Sequence, residues 1–307
     1  TAITGSKSSA VTDYALSATS KDVSASITAK PVTASASKSY DGTTSLAGDV
    51  TLAGMLGGDT LNYTGAASNN SHVATSNKYI SALTLTNGTG LASNYAPPAF
   101  NYNAANNNVS ITTATLTPAL TNTGVTKMYD RATGAPAGFT PTWSYGGLVS
   151  GDTAASVAYT GAVYDNANVG TASKVTVSGI SLTAITGSKS SAVTDYALSA
   201  SSKDVSASIS KTTLTVRANN NAKFVLAVDP AFTASYAGYV NGEVAGVLGG
   251  TLSISRSNAA VNTAGIFAGV LIPSGRTSSN YNISYTAGNF TIVPSNQLLV
   301  RVANVTD

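Results

Sequence analysis

Few side chains in these 307 residues can move protons, attack a carbonyl or hold a metal. His72 is the one histidine, in a Ser/Asn-rich stretch that reads as a surface loop. Glu243 is the one glutamate, and cysteine is absent. A Ser-His-Asp relay therefore cannot be built more than once, and a Cys-His relay or a pair of glutamates not at all. Without thiols, zinc–thiolate sites and thiol catalysis are excluded. The expectation is a chain that is not an enzyme, with no catalytic and no metal residues. Most aspartates fall in turn contexts: Asp41, Asp59, Asp130 and Asp152. Calcium wants several closely spaced oxygens, as in Asp-x-Asp, and that spacing does not occur. Asp59 with nearby Asn side chains is the one place where calcium is weighed, so the expected cofactor is none. Lysine–asparagine cross-links would need a buried acid, and with one glutamate and few lysines they are not expected. Trp143, within Pro141-Thr142-Trp143-Ser144-Tyr145, is the one candidate ligand-binding residue. Exposed, it would be a carbohydrate platform; buried, a core residue. The core reading is favoured.

The elements that carry these residues repeat. Thr1–Thr28 returns as Thr183–Ser210, an offset of 182 residues, with only Thr19/Ser201 and Thr28/Ser210 different. Shorter anchors give a finer period. Gly58-Asp59-Thr60 recurs as Gly151-Asp152-Thr153, and Lys38-Ser39-Tyr40-Asp41 echoes Lys127-Met128-Tyr129-Asp130. Tyr14, Tyr95, Tyr196 and Tyr281 each close a Ser/Thr-x step and precede a short strand ending at Ile27, Ile111, Ile209 and Ile292. Repeats of this kind imply an array. The expected division is residues 1–27 as the end of a preceding module, then modules at 28–111, 112–209 and 210–292. Residues 293–307 would be a terminal strand or the start of another module.

Only 9% of the residues are charged, the net charge is +3, and Ala, Ser, Thr, Asn, Gly and Val dominate. Such polarity without charge suits extended structure and its turns. Scattered cations leave no footprint for a nucleic acid, and no run of 18 apolar residues could span a bilayer as a helix. Alternation, as in Val23-Ser24-Ala25-Ser26-Ile27, is the visible period. The fold class is therefore all-β: a tandem array of small antiparallel modules, β-sandwich or β-grasp-like, arranged end to end as an elongated rod. Ser178-Gly179 shifts the parity after Lys174–Val177 and is expected to form a bulge. Short helical turns are left open at Ala154–Ala158. At ~3.3 Å per residue, modules of ~35–40 Å would give a fragment on the order of 100 Å long.

Lys38-Ser39-Tyr40-Asp41-Gly42-Thr43-Thr44, with Gly58-Asp59 and Ser93-Asn94-Tyr95, resembles the YDG domain. Asp229-Pro230-Ala231-Phe232, Gly238–Glu243 and Ser279-Asn280-Tyr281 to Phe290-Thr291-Ile292 resemble the related MBG domain. The resemblance implies large bacterial surface proteins, notably filamentous-haemagglutinin-like adhesins exported by two-partner secretion through an outer-membrane transporter. It further implies an extracellular or cell-surface location. Tyr40, Asp41, Gly42, Tyr129, Asp130, Gly58, Asp59, Gly151, Asp152, Asp229 and Pro230 are then turn motifs rather than ligand sites. Two departures stand out. Arg131 replaces the glycine of the triplet, so a redrawn or right-handed turn is expected there. Val225-Leu226 replaces a Tyr-Gly pair, so the usual opening turn is not assured in the third module.

The functional expectation is a structural stalk supporting attachment or biofilm. Its alternatives are a filament subunit packed laterally or by strand exchange, and a module that binds carbohydrate or a host protein. Partners would be other copies of the chain or a host or matrix surface. Thr1–Ile27 is expected to form strands like Thr183–Ile209, provided that the absence of the earlier module's partners does not leave it disordered or recruited elsewhere. Leu298–Val305 is the candidate strand to complete a neighbouring copy's 1–27.

Overall fold

A computed structural model describes residues 2, 4–8 and 10–300. It is all-β, with 46% of residues in strands. The chain forms two compact units, one of Thr1–Ser39 with Thr43–Thr112, the other of Tyr40–Gly42 with Thr113–Asp307.

In the first unit the seven-residue strand Thr33–Ser39 buries every second side chain, Ala34, Ala36 and Lys38. Small residues suit a strand that is covered on one face and paired on both edges. Val50–Ala53 pairs with it antiparallel and Asn107–Thr112 pairs with it parallel. Just upstream, Lys30–Pro31 runs parallel to Tyr95–Ala96. An antiparallel pair, Leu61–Ser68 with Ile80–Asn87, completes the unit. Val32, Leu61 and Tyr95 form its small core, with Leu52, Met55, Leu85 and Ala92 against it.

The same pattern occurs twice in the second unit. Ala114–Leu120 is parallel to Tyr196–Leu198, and Val125–Met128 is parallel to Ser202–Ser210. Thr212–Ala218 is parallel to Tyr281–Thr286, and Asn221–Phe224 is parallel to Gly288–Val293. Trp143–Gly146 and Ala234–Ala237 take the antiparallel edge beside the two opening strands. The sheets of three or four strands, which hold both opening and closing strands, are therefore mixed where antiparallel pairing was expected, while Leu61–Ser68 with Ile80–Asn87 and Asp152–Ala158 with Ser181–Gly187 pair antiparallel. Opening and closing strands run the same way, so in each segment the chain leaves at the opposite end from where it entered. Parallel neighbours need a crossover, which the intervening strands supply.

Three local expectations are corrected as well. Residues 154–158 lie inside the strand Asp152–Ala158, paired with Ser181–Gly187, and form no helical turn. Gly179 is not a bulge. It stands where the chain leaves the sheet of Lys174–Ser178 for the sheet of Ser181–Gly187. Its φ is +66°, and a Cβ there would lie 2.0 Å from Thr160 Oγ1, so only glycine makes the step.

The third correction concerns the start of the chain. Of its described residues before Lys30, only Val11–Asp13 form a regular element, a 3₁₀ turn. Val23 is 86% and Ile27 101% exposed, while their counterparts Val205 and Ile209 are 7% and 4% exposed. The alternation is present, but among the described residues no sheet edge or opposing face lies there to pair it. Leu298–Val300 carries no strand, and residues 301–305 of the expected completing strand lie outside the described residues.

Candidate functional site

The acid turns and the Tyr steps, noticed separately in the sequence, meet in space. Asp59, Asp152 and Glu243 each close a turn by donating their backbone N–H to the carbonyl three residues before, Leu56, Val149 and Val240. A tyrosine hydroxyl then ties that turn down. Tyr95 Oη accepts the Leu56 N–H at 3.1 Å and donates to Asp59 Oδ2 at 2.7 Å. Tyr196 Oη accepts from Val149 N at 3.0 Å and donates to Asp152 Oδ2 at 2.5 Å. Tyr281 Oη accepts from Val240 N at 3.1 Å and donates to Glu243 Oε2. The partners are 36 to 44 residues apart, so no local pattern announces them. The signal that could have found them is the acid and the tyrosine recurring together in all three segments.

Short 3₁₀ turns, Ala92–Asn94 and Val193–Asp195, aim Tyr95 and Tyr196. In the second, the fully buried Asp195 accepts the Ala192 N–H at 2.8 Å. Burial first, and then the neighbouring carboxylate, makes the phenols of Tyr196 and Tyr281 hard to ionise. Tyr196 is pushed up to about 12, and Tyr281 is raised for the same reasons. For Tyr95 the Leu56 N–H pulls the phenol down, but Asp59 and burial together raise it.

A second tyrosine reaches two of these pairs. Tyr129 donates to Glu243 Oε1 at 2.7 Å and meets Tyr281 edge-on, with ring centroids 5.5 Å apart at 79°. Burial and then Glu243 push its phenol up to about 12. Tyr239 adds a further edge contact to Tyr281, at 6.0 Å. Such edge-on pairs are each worth about 0.5–1.5 kcal/mol beyond area burial. Tyr40, which belongs to the second unit, meets Tyr196 in the same way at 5.8 Å and 70°. Its hydroxyl lies 2.6 Å from Ser191 Oγ, which donates to Asp152 Oδ2 at 2.7 Å.

The Tyr-Asp turn itself is anchored by the lysine two residues earlier. Lys127 Nζ reaches Asp130 Oδ1 at 2.7 Å and the carbonyls of Ala132 and Gly134 at 2.7 and 3.0 Å. Lys38 Nζ likewise donates to Thr43 O and Ser45 O, at 2.9 and 2.7 Å. These bonds satisfy ammonium groups that would otherwise be costly to bury. In the third segment Lys223 pairs with Asp229, which also receives Arg256 Nε at 2.8 Å. Burial pushes Asp229 up, but the bonds and charges of Lys223 and Arg256 outweigh it and hold the carboxyl below its ordinary range.

Arg131 keeps the left-handed step of the triplet, against expectation, while the third segment takes its left-handed step one residue earlier after its lysine, at Leu226. Arg131 adopts φ +65° and Leu226 φ +65°, beside +73° at Gly42. The surrounding bonds impose the glycine conformation on side chains that disfavour it. Arg131 gains a contact in return, donating to Asn241 O at 3.2 Å.

Of the remaining sequence candidates, two glycines lie inside these turns and the others stay apart from the clusters. Gly58 and Gly151 hold the left-handed residue just before their acids, at φ +84° and +103°. Asp41 is exposed and Pro230 half-buried. Trp143 is half-buried on the edge strand Trp143–Gly146. The open hollow of about 610 Å³ nearby is lined by residues such as Thr121, Asn122 and Phe139, and not by Trp143. His72 is half-buried in its loop.

Comparison with known families gives two matches. The YDG domain matches residues 19–105 and 112–204, and the MBG domain (YGX type) matches residues 214–291. No curated protein and no solved structure matches the chain. With the two YDG matches spanning more than half of its length, the chain belongs to the YDG-domain family and carries tandem YDG repeats followed by an MBG domain.

Proposed function

We propose that this chain is a non-enzymatic, structural stretch of a secreted bacterial surface adhesin of the filamentous-haemagglutinin type. Its YDG and MBG modules act as stalk repeats that hold an attachment site away from the cell. One observation carries the reading: opening and closing strands are parallel in all three segments, so each passes the chain from one end to the other. A module built this way adds length, whereas one that returns the chain to its starting end adds bulk. The Tyr129–Glu243–Tyr281 contact supports it by stiffening one step of the series. Export across an outer membrane and display at the cell surface follow from the same family reading.

Small-angle scattering tests this. A rod on the order of 100 Å has a radius of gyration of about 30 Å, while a globule of this length has about 19 Å. The larger value is expected, and the smaller would overturn the stalk.

A second reading has its own observation. Residues 20–28 repeat a strand sequence, yet Val23 and Ile27 are exposed. A strand from another copy laid along them would make the chain a filament subunit. Sedimentation that shifts with concentration, and no longer does so once residues 1–28 are removed, would favour that form.

A further inference from the structure

Among the described residues three acid–tyrosine pairs share one design, and two of them hold a second tyrosine. Tyr129 sits on Glu243 and Tyr281, and Tyr40 sits on Tyr196 and reaches Asp152 through Ser191. Each incoming ring comes from a Tyr-Asp step, Tyr40-Asp41 or Tyr129-Asp130, that opens the preceding repeat in the sequence. The third pair, Asp59 with Tyr95, is wired identically but receives no second tyrosine among the described residues.

We propose that the Asp59–Tyr95 pair is a docking socket for the tyrosine of a Tyr-Asp turn on a further YDG module placed before it in series. This deepens the stalk reading and rests on it.

Four features of the site favour that occupant. Tyr95 already directs its hydroxyl to one carboxylate oxygen, Oδ2, as Tyr281 does to Glu243. Among the described residues no donor reaches Asp59 Oδ1, the counterpart of the oxygen on which Tyr129 is held, although the Asp152 socket, filled through Ser191 on Oδ2, also leaves its Oδ1 unbonded. Gly90 stands five residues before Tyr95, where Ser191 stands before Tyr196, so no side chain relays to the carboxylate and a phenol can meet it directly. The rim is apolar and uncovered. Leu56 is 57% exposed, whereas Val149 and Val240, at the same place in the covered sockets, are half-buried.

Another copy of this chain does not supply the ring. Tyr40 and Tyr129 are already held, and Val225 stands where the third segment would carry its tyrosine. The device is thus directional. YDG modules carry both ring and socket, while the MBG module carries a socket and no ring, so it ends the run of docked tyrosines.

The test lengthens the full chain by an additional copy of residues 29–112, inserted ahead of residue 29. This places the copy's Tyr40 one repeat before Asp59, and hydrogen exchange is then followed in residues 54–60 and 89–95 of the original module. An edge-on ring and a bond to a carboxylate predict roughly tenfold greater protection there. Tyr40→Ala in the added copy should return protection to the level of the unlengthened chain. Asp59→Asn in the lengthened chain should do so in part. Protection that is unchanged by lengthening, or gained equally with Tyr40→Ala, would overturn the socket. Protection in the added copy's own strands, 33–39 and 107–112, shows that each variant is folded. Scattering on the same samples separates the two ideas. A longer particle without added protection removes the socket and keeps the stalk, while a compact particle removes the stalk.

Discussion

Leu226 illustrates the residue scale best. It is 84% exposed, so its side chain contributes little, and it is held at φ +65°, where an L-residue is strained by about 1–2 kcal/mol. Leu226→Gly should therefore stabilise the third segment by about 1 kcal/mol in denaturant unfolding, after the entropy that glycine adds to the unfolded chain. Arg131→Gly should be close to neutral, because relief of the same strain is offset by loss of the bond to Asn241. The phenols give a pH prediction. Tyr129, Tyr196 and Tyr239 are each raised to about 12, mainly by burial, against about 10 in an unfolded chain. Between these values the unfolded state loses protons that the folded state keeps. The stabilisation is thus complete below pH about 10 and is lost as pH rises to about 12. Unfolding titrations from pH 8 to 12 should show the decline, with phenolate absorbance lagging a free-tyrosine curve.

At the scale of elements, the anchoring lysine decides whether the Tyr-Asp turn holds its shape. Lys127→Met keeps an unbranched side chain one atom shorter but leaves Asp130 and the Ala132 and Gly134 carbonyls without their donor. A cost of about 2–3 kcal/mol is expected in chemical denaturation. Strands depend on partners rather than on their own letters, and the duplicated segment separates the two. Ile209→Ala should cost about 2–5 kcal/mol, since Ile209 is 4% exposed within the strand Ser202–Ser210. Ile27→Ala, at the same letter of the same repeat but 101% exposed, should leave the melting temperature where it was.

For the whole molecule, the prediction concerns cooperativity. Tyr129 links the sheets built from residues 114–210 to the turn at Glu243, through a carboxylate bond and an edge-on ring. Tyr129→Ala should cost about 3–5 kcal/mol and split a shared calorimetric transition into two. Tyr129→Phe keeps the ring contact and loses only the hydroxyl bond, so it should lower the transition temperature without splitting it. A Phe variant that splits the transition as Ala does would show that the hydroxyl, and not the ring, couples the two halves.

How far the sequence reached follows from the range of each interaction. Ala10 N–H donates to Asp13 Oδ2 at 2.9 Å and Ala192 N–H to Asp195 Oδ2 at 2.8 Å, so the 3₁₀ turn forms in both copies of the repeat. Everything it needs lies within four residues. The all-β class was equally legible, because alternation and turn chemistry are written in neighbouring letters. The strand that follows was not, since near-identical residues pair with Lys174–Ser178 and Val125–Met128 in one copy and with nothing among the described residues in the other. Alternation shows only that a segment has an apolar face; a sheet edge and an opposing core must exist elsewhere before it becomes a strand. The acid–tyrosine pairs lay beyond reach for the same reason. Asp59, Asp152 and Glu243 looked like turn residues, which they are, and only the folded chain brings to each a phenol from some forty residues away.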